Sequence, residues 1–491
     1  MQPHSSFLGA SPNSRFLTAR AIGAIRLALL LSIVLMTGLL CSGTNPAATN
    51  TPTLLITPAY APPGTNISLW GSGFDPFSSV EIYCDAIHLA TTTTNAAGAF
   101  GGTTFHGFAV QLPASAIPGN HWILAMERSG QKLARKQFLV RTDWAQYGFG
   151  PERTGFNPYE NVLNSSTLHR LYLHWRQGVS SPYNDATPPS PAVANGVVYL
   201  GGYHLADFFL AFGAGTGTQL WYYRTGGEIH SSAAVANGAV YFGSDDKNLY
   251  ALHVNNGGIL WQFTNQSPVA VSPAIVKGVI YFSADNYVYA LSAATGAVLW
   301  QYNIPAQFIA VANGILYATG SNAVFALRAD TGALVWQQPI VGSDVAVANG
   351  MVYVGTGSGL DAMDANTGAM MWSCPMAYGA GSPAVANGVV YVKSGTGPML
   401  SLYAVNASTG AILWQRSTDF YNASAPTVAN GVVYFGLVSP TSSAVQAFDA
   451  NSGGLLWSYY GQLSVHFSPP VIADGTLYVA ASDGNLYAFG L

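Results

Sequence analysis

Eight times between residues 193 and 478 the chain returns to one short line: a branched aliphatic residue, an Asn-Gly or its equivalent, two further residues and a tyrosine. The copies are Val193–Tyr199, Val235–Tyr241, Ile275–Tyr281, Val311–Tyr317, Val347–Tyr353, Val385–Tyr391, Val428–Tyr434 and Ile472–Tyr478. Asn-Gly and Asp-Gly accept the positive φ angles of a type I′ turn, so each copy is expected to be a β-hairpin. A second line follows the first seven hairpins: a turn ending in glycine, then Trp221, Trp261, Trp300, Trp336, Trp372, Trp414 or Trp457, spaced 36 to 43 residues apart. A period near forty with four strand signals per unit describes the blade of a β-propeller.

Counting strands predicts how such a ring closes. Each unit reads as strands A to D, but the eighth stops at Leu491 without a D strand, while a spare D-like run, Leu171 to Trp175, precedes the first unit. Letting that run complete the last blade removes two exposed sheet edges. Eight blades over 142–491 follow, with seven blades and a loose strand as the alternative.

The remaining residues divide by composition. Arg15, Arg20 and Arg26 precede an apolar run from Leu27 to Leu40, the pattern of a secretory signal. Residues 1–43 are thus expected to be a signal peptide or an N-terminal membrane anchor, with Cys41 a third option as a lipidation site. Residues 44–52 read as a polar linker. Over 53–141, β-rich runs such as Asn66–Trp70 and Trp122–Met126 alternate with Gly and Pro turns, which suggests a small β-sandwich. Beyond Cys41 the chain has only Cys84 and Cys374, too few and too scattered for a disulfide framework or a Cys-x-x-Cys metal site.

Charge excludes one class of partner. Residues 142–491 carry 9 Lys and Arg against 17 Asp and Glu, and an acidic surface without clustered cations is a poor match for nucleic acid. The chain also lacks His-Glu-x-x-His, Gly-x-Ser-x-Gly, phosphate-loop and dinucleotide motifs.

The runs Ala329–Trp336, Ala365–Trp372 and Ala407–Trp414 resemble the repeat of pyrroloquinoline-quinone (PQQ)-like propellers, and Trp144–Asn157 resembles the way many exported propellers of this kind begin. The resemblance implies that the tryptophans, including Trp175, dock neighbouring blades together. It covers both quinoprotein dehydrogenases and non-catalytic relatives. Residues 53–141 resemble bacterial immunoglobulin-like modules. The dehydrogenases of the superfamily hold PQQ under a disulfide between adjacent cysteines, beside a calcium ion. With Cys374 alone in the repeat region that disulfide cannot form, and no motif places the calcium ligands. Asp361-x-x-Asp364 reads as a C–D turn, and His230 and His466 as polar residues at a channel mouth.

Binding is expected where the connections vary. The A–B and C–D turns share one face and are short and alike, whereas the D–A and B–C loops on the other face differ in length. The long ones are 177–189, 202–208, 394–400, 416–424, 436–443 and 458–468, and they nominate Tyr183, Asn184, Asp185, Tyr203, His204, Asp207, Asp419, Tyr421, Asn422 and His466 as ligand-binding residues. The reading is an exported, monomeric, non-catalytic binding or scaffold protein for protein or carbohydrate at the cell envelope, with no cofactor and no metal. The alternatives are a PQQ- and calcium-dependent dehydrogenase of alcohols or aldose sugars, and a structural cell-surface repeat protein.

Overall fold

The computed structural model describes residues 51–102, 107–181 and 187–491, so the signal or anchor segment and the linker up to residue 50 lie outside the described residues. No α-helix occurs among the described residues; two single 3₁₀ turns, Leu168–Arg170 and Gly397–Met399, are the only helical pieces. The chain divides into two compact units, the first gathering the described residues up to Pro58 with Asn66–Val110 and Trp122–Phe138. There, Thr53–Thr57 pairs with Asn66–Ser72, and Ser79–Cys84 lies between Ile87–Thr93 and Gly119–Glu127, all antiparallel. Alternate residues along Asn66–Ser72 and Ser79–Cys84 are buried, the period of two expected of packed strands.

The second unit contains Leu139–Leu491 and is a β-propeller. A representative sheet runs Ala192–Ala194, Val197–Gly201, Phe208–Gly213, Gln219–Arg224, in chain order and antiparallel throughout. The two middle strands are buried and the outermost alternates with solvent, because only its inward residues meet the next sheet. Eight related sheets occur among the described residues: six have these four strands alone, one adds the short strands Phe156–Asn157 and Asn422–Ala423, and in the last the strands are not in chain order. In the last of them, Tyr172–Gly178 supplies the outermost strand by pairing with Asn485–Gly490. The expected loop at 436–443 is instead the end of a long hairpin, Val432–Ser439 with Ser442–Asp449, whose alternating Val, Leu and Ala side chains are all buried.

One aromatic contact recurs at each seam. The indole N–H of Trp175, Trp221, Trp261, Trp300, Trp336, Trp372, Trp414 and Trp457 donates to Ala214, Val254, Ala293, Ala329, Ala365, Ala407, Ala450 and Leu171 of the following sheet. The indole face rests on a turn glycine. At Gly257, with φ +68°, a Cβ would come within 2.5 Å of the Trp221 ring, so both backbone and space require glycine. The hairpin tyrosines add a second donor to the same carbonyls: Tyr317 donates to Ala365 at 3.0 Å and Tyr391 to Ala450 at 3.2 Å.

The seam onto the last sheet breaks this pattern. Trp457 uses Leu171 at a longer 3.3 Å, and the buried Tyr434 hydroxyl has no hydrogen-bond partner. An orphaned buried hydroxyl costs free energy, whereas a satisfied one contributes about 1 kcal/mol. Tyr317→Phe should therefore lose about 1 kcal/mol, and Tyr434→Phe should match or exceed the parent in stability. Denaturant titration checks the pair; a Tyr434→Phe loss as large as that of Tyr317→Phe would show that the hydroxyl is satisfied after all.

The segment from Thr142 to Asn157 forms the hub. The branched residue that opens each repeat line donates its backbone N–H to this segment: Val193 to Trp144, Val235 to Ala145, Val311 to Pro151, Val347 to Glu152, Val385 to Thr154 and Val428 to Gly155. Ile275 donates to the Gln146 side chain instead, and Ile472 accepts from Asn157 Nδ2 at 2.8 Å. Innermost strands have an unpaired edge, and this one segment occupies the edge in sheet after sheet.

Carboxylates gather where the hub meets the last sheet. Burial and the neighbouring Asp474 push the Asp143 carboxyl up to about 6, above the ~3.9 of an unfolded chain. Between these values the folded state holds a proton that the unfolded state lacks, so the stability from this group is present at low pH and lost as pH rises through 4 to 6. The loss is on the order of 2–3 kcal/mol. Asp143→Asn should flatten the fall in melting temperature across that window; an unaltered slope would assign the effect elsewhere.

Candidate functional site

Where the connections into the innermost strands converge, they surround a cavity of about 630 Å³ whose lining includes the hub residues Tyr147 and Arg153. Its size suits a small ligand. One position per sheet, five residues before the Asn of each hairpin turn or its equivalent, contributes to the wall: Ser190, Ser232, Ser272, Phe308, Asp344, Ser382, Ala425 and Pro469. The serines link successive sheets, since the backbone N–H of Ser190 donates to Ser232 Oγ and that of Ser232 to Ser272 Oγ, both at 2.9 Å. Asp344 is the one ionisable residue at this position.

Asp344 belongs to a buried cluster. The Tyr147 hydroxyl donates to its Oδ2 at 2.9 Å. Arg153 donates to the carbonyls of Tyr147 at 2.6 Å, Ser272 at 2.9 Å and Ile309 and Pro273 at 3.1 Å. Burial pushes the Asp344 carboxyl above its usual range, opposed by the Tyr147 hydroxyl and the Arg153 charge. Burial likewise raises the Tyr147 phenol and lowers Arg153. The guanidinium is thus held by carbonyls and serves the architecture of the floor.

Lys393 is the other cation of the wall. It stands at the outer end of the buried strand Val389–Ser394, and its stem passes over Gly381, where a Cβ would lie 2.9 Å from Lys393 Cε. Its ammonium donates at 2.5 Å to Asn422 Oδ1 and to the Ala423 carbonyl. Those two residues are held in place by a short strand pairing with Val438 and Leu437. Burial pushes the Lys393 amine down to about 8. His230 lies at the same cavity, 3.3 Å from both Glu228 Oε2 and Asp245 Oδ2.

The nominated residues fall in several places. Tyr183, Asn184 and Asp185 lie outside the described residues. Asn422 lines the cavity. Tyr203 does not face solvent: it is 2% exposed, packed in the core between the first and last sheets with its hydroxyl on the Ala481 carbonyl. That correction has a simple cause, because the loop from 202 folds back and the aromatic ring fills the seam. Asp207 pairs with Arg224 at 2.8 Å. The His204 and Leu205 amides cap Glu228. The His466 N–H donates to Ser482 Oγ and its carbonyl accepts from the Ser482 N–H, and Asp419 and Tyr421 are exposed. None of these last five lines the cavity. Asp361 and Asp364 serve turns and strands, accepting from Ser373 and from the Asn366 and Thr367 amides.

Lys393, Arg153, Asp344 and Tyr147 were absent from the nominated set. Aligning the eight copies on their turns would have found Asp344 as the acidic departure from a small-residue position.

Comparison with known proteins matches residues 173–312, 285–374 and 356–491 to the family described as outer membrane protein assembly factor BamB. The dehydrogenase subunit of the quinone alcohol dehydrogenase of Gluconobacter oxydans (strain 621H) is 27% identical over 191 residues, covering 33% of this chain and 24% of that protein. The chain therefore spans about a quarter of that relative's length. Among solved structures, quinohemoprotein alcohol dehydrogenase ADHIIG from Pseudomonas putida HK5 has a TM-score of 0.61 at 15% identity, covering 71% of this chain and 80% of that one. BamB from Moraxella catarrhalis has a TM-score of 0.54 at 17% identity, covering 65% and 98%. These two likenesses are of fold. The curated relatives correct one expectation: with quinone dehydrogenases among the similar proteins, the reading of a chain that takes no cofactor does not stand.

Proposed function

We propose, from the premise that this chain belongs to the outer membrane protein assembly factor BamB family of PQQ-like propellers, that it is an extracytoplasmic binding propeller that engages a protein partner at the cell envelope. Its ring has eight blades over 142–491, a reading supported by the eight recurrent tryptophan contacts and by the hub that meets each innermost strand. An immunoglobulin-like module over 53–141 presents it, and the N-terminal segment exports or tethers it. The observation that carries the reading is the asymmetry of the faces: one side is built from near-identical turns, while the other has variable connections around a ligand-sized cavity. The family description supports a protein partner over a carbohydrate.

A photoreactive residue placed at Tyr421, on the variable face, should crosslink a defined envelope protein in cells, and one at Asn313, in a hairpin turn, should not. Equal crosslinking from both positions would contradict the assignment of the face.

A second reading, a quinone-dependent dehydrogenase, is favoured by the curated relatives. The cavity suits it poorly in one respect. Calcium takes six to eight oxygen ligands, usually several of them carboxylates, whereas the cavity wall has one carboxylate, Asp344, already bonded by Tyr147. The buried Cys374 does not line it. Dye-linked oxidation of alcohols and aldose sugars after adding PQQ and calcium tests this reading directly, and turnover would establish it.

A further inference from the structure

The charges of the cavity are unlike those of the chain around it. Of 9 Lys and Arg in residues 142–491, Arg153 and Lys393 line the wall, against Asp344 alone of 17 Asp and Glu. The two cations differ in how they are held. Arg153 is surrounded by four carbonyl bonds. Lys393 bonds one amide oxygen and one carbonyl, and no carboxylate among the described residues forms an ion pair with it. A largely buried ammonium with only neutral acceptors is costly, and an ammonium has three donors, of which two are used.

We propose that the cavity is a receptor for a small oxyanion, a carboxylate or a phosphate, whose charge is met by the ammonium of Lys393. The site is built for it. Gly381 makes room for the lysine stem, and the Asn422–Ala423 strand fixes the ammonium from one side. The neighbouring wall is polar, with Gln307 as a further donor, while the Ser424 hydroxyl already donates to the Ala425 carbonyl. The charge is supplied by the chain, so binding needs no metal ion. The inference rests on the cavity-bearing face being the binding face, which the Tyr421 crosslink tests independently.

The experiment is isothermal titration of the full chain with succinate and, separately, with inorganic phosphate, each in EDTA and again with added calcium. One of the two should bind in EDTA, which also distinguishes the carboxylate from the phosphate source, and Lys393→Met should weaken it at least tenfold. Should Lys393→Met fail to fold, trinitrobenzenesulfonate labelling of the unaltered protein replaces it: the bound probe should protect Lys393 at least tenfold by peptide mass spectrometry. Binding of neither probe, binding that requires calcium, binding unaffected by Lys393→Met, or labelling unaffected by the probe would each overturn the proposal.

Discussion

Replacing Arg153 with alanine should cost the propeller on the order of 3–5 kcal/mol, the range expected when one partner of a buried charge network is removed. The guanidinium bonds four backbone carbonyls: Tyr147 within the hub, Ser272 and Pro273 ahead of one innermost strand, and Ile309 within the next. Alanine would leave these acceptors facing a void and remove the positive charge beside the buried Asp344 carboxyl. Lysine should rescue little, because a compact ammonium does not reproduce a planar fork aimed at several carbonyls. Urea unfolding at fixed pH measures the loss. A change below about 1 kcal/mol would mean that water replaces the guanidinium and the hub is less closely held than the bonding implies.

Ending the chain after Asp483 should abolish cooperative unfolding altogether. Removal of a few terminal residues is ordinarily tolerated, but Asn485–Gly490 lies inside its sheet, between Thr476–Ala481 and Tyr172–Gly178. Leu486, Ala488 and Phe489 are at most 1% exposed. Without this strand, Tyr172–Gly178 has no partner, nothing holds Trp175 against its seat on Gly217 and Ala214, and the ring opens at two seams. Circular dichroism melting provides the readout; a retained sharp transition would contradict closure through this strand.

Much of this architecture was legible because it repeats. Hairpins and tryptophans announced themselves by spacing, and the surplus strand ending at Trp175 predicted the pairing with Asn485–Gly490. The hub was not legible. Thr142–Asn157 has no alternation and no periodicity, and its bonds reach across up to 332 residues, as between Thr142 and Asp474. The cavity residues were hidden for another reason. Lys393 sits in a strand whose neighbours are Val and Tyr, where a lysine reads as an outward-facing residue. Only the glycine at 381 and the short strand at 422 turn it towards the cavity. Loop length led to the variable face but not to its contents: Tyr203 was drawn into the core, and Asp207 into an ion pair with Arg224.

A crystal of the full chain soaked in selenate and read by selenium anomalous scattering shows whether the cavity floored by the hub is a binding site. A peak is expected inside the cavity, with selenium about 4 Å from Lys393 Nζ (a hydrogen bond to a selenate oxygen plus the Se–O bond), and it should disappear in Lys393→Met. Peaks confined to the outer surface, with the cavity holding only water, would contradict it.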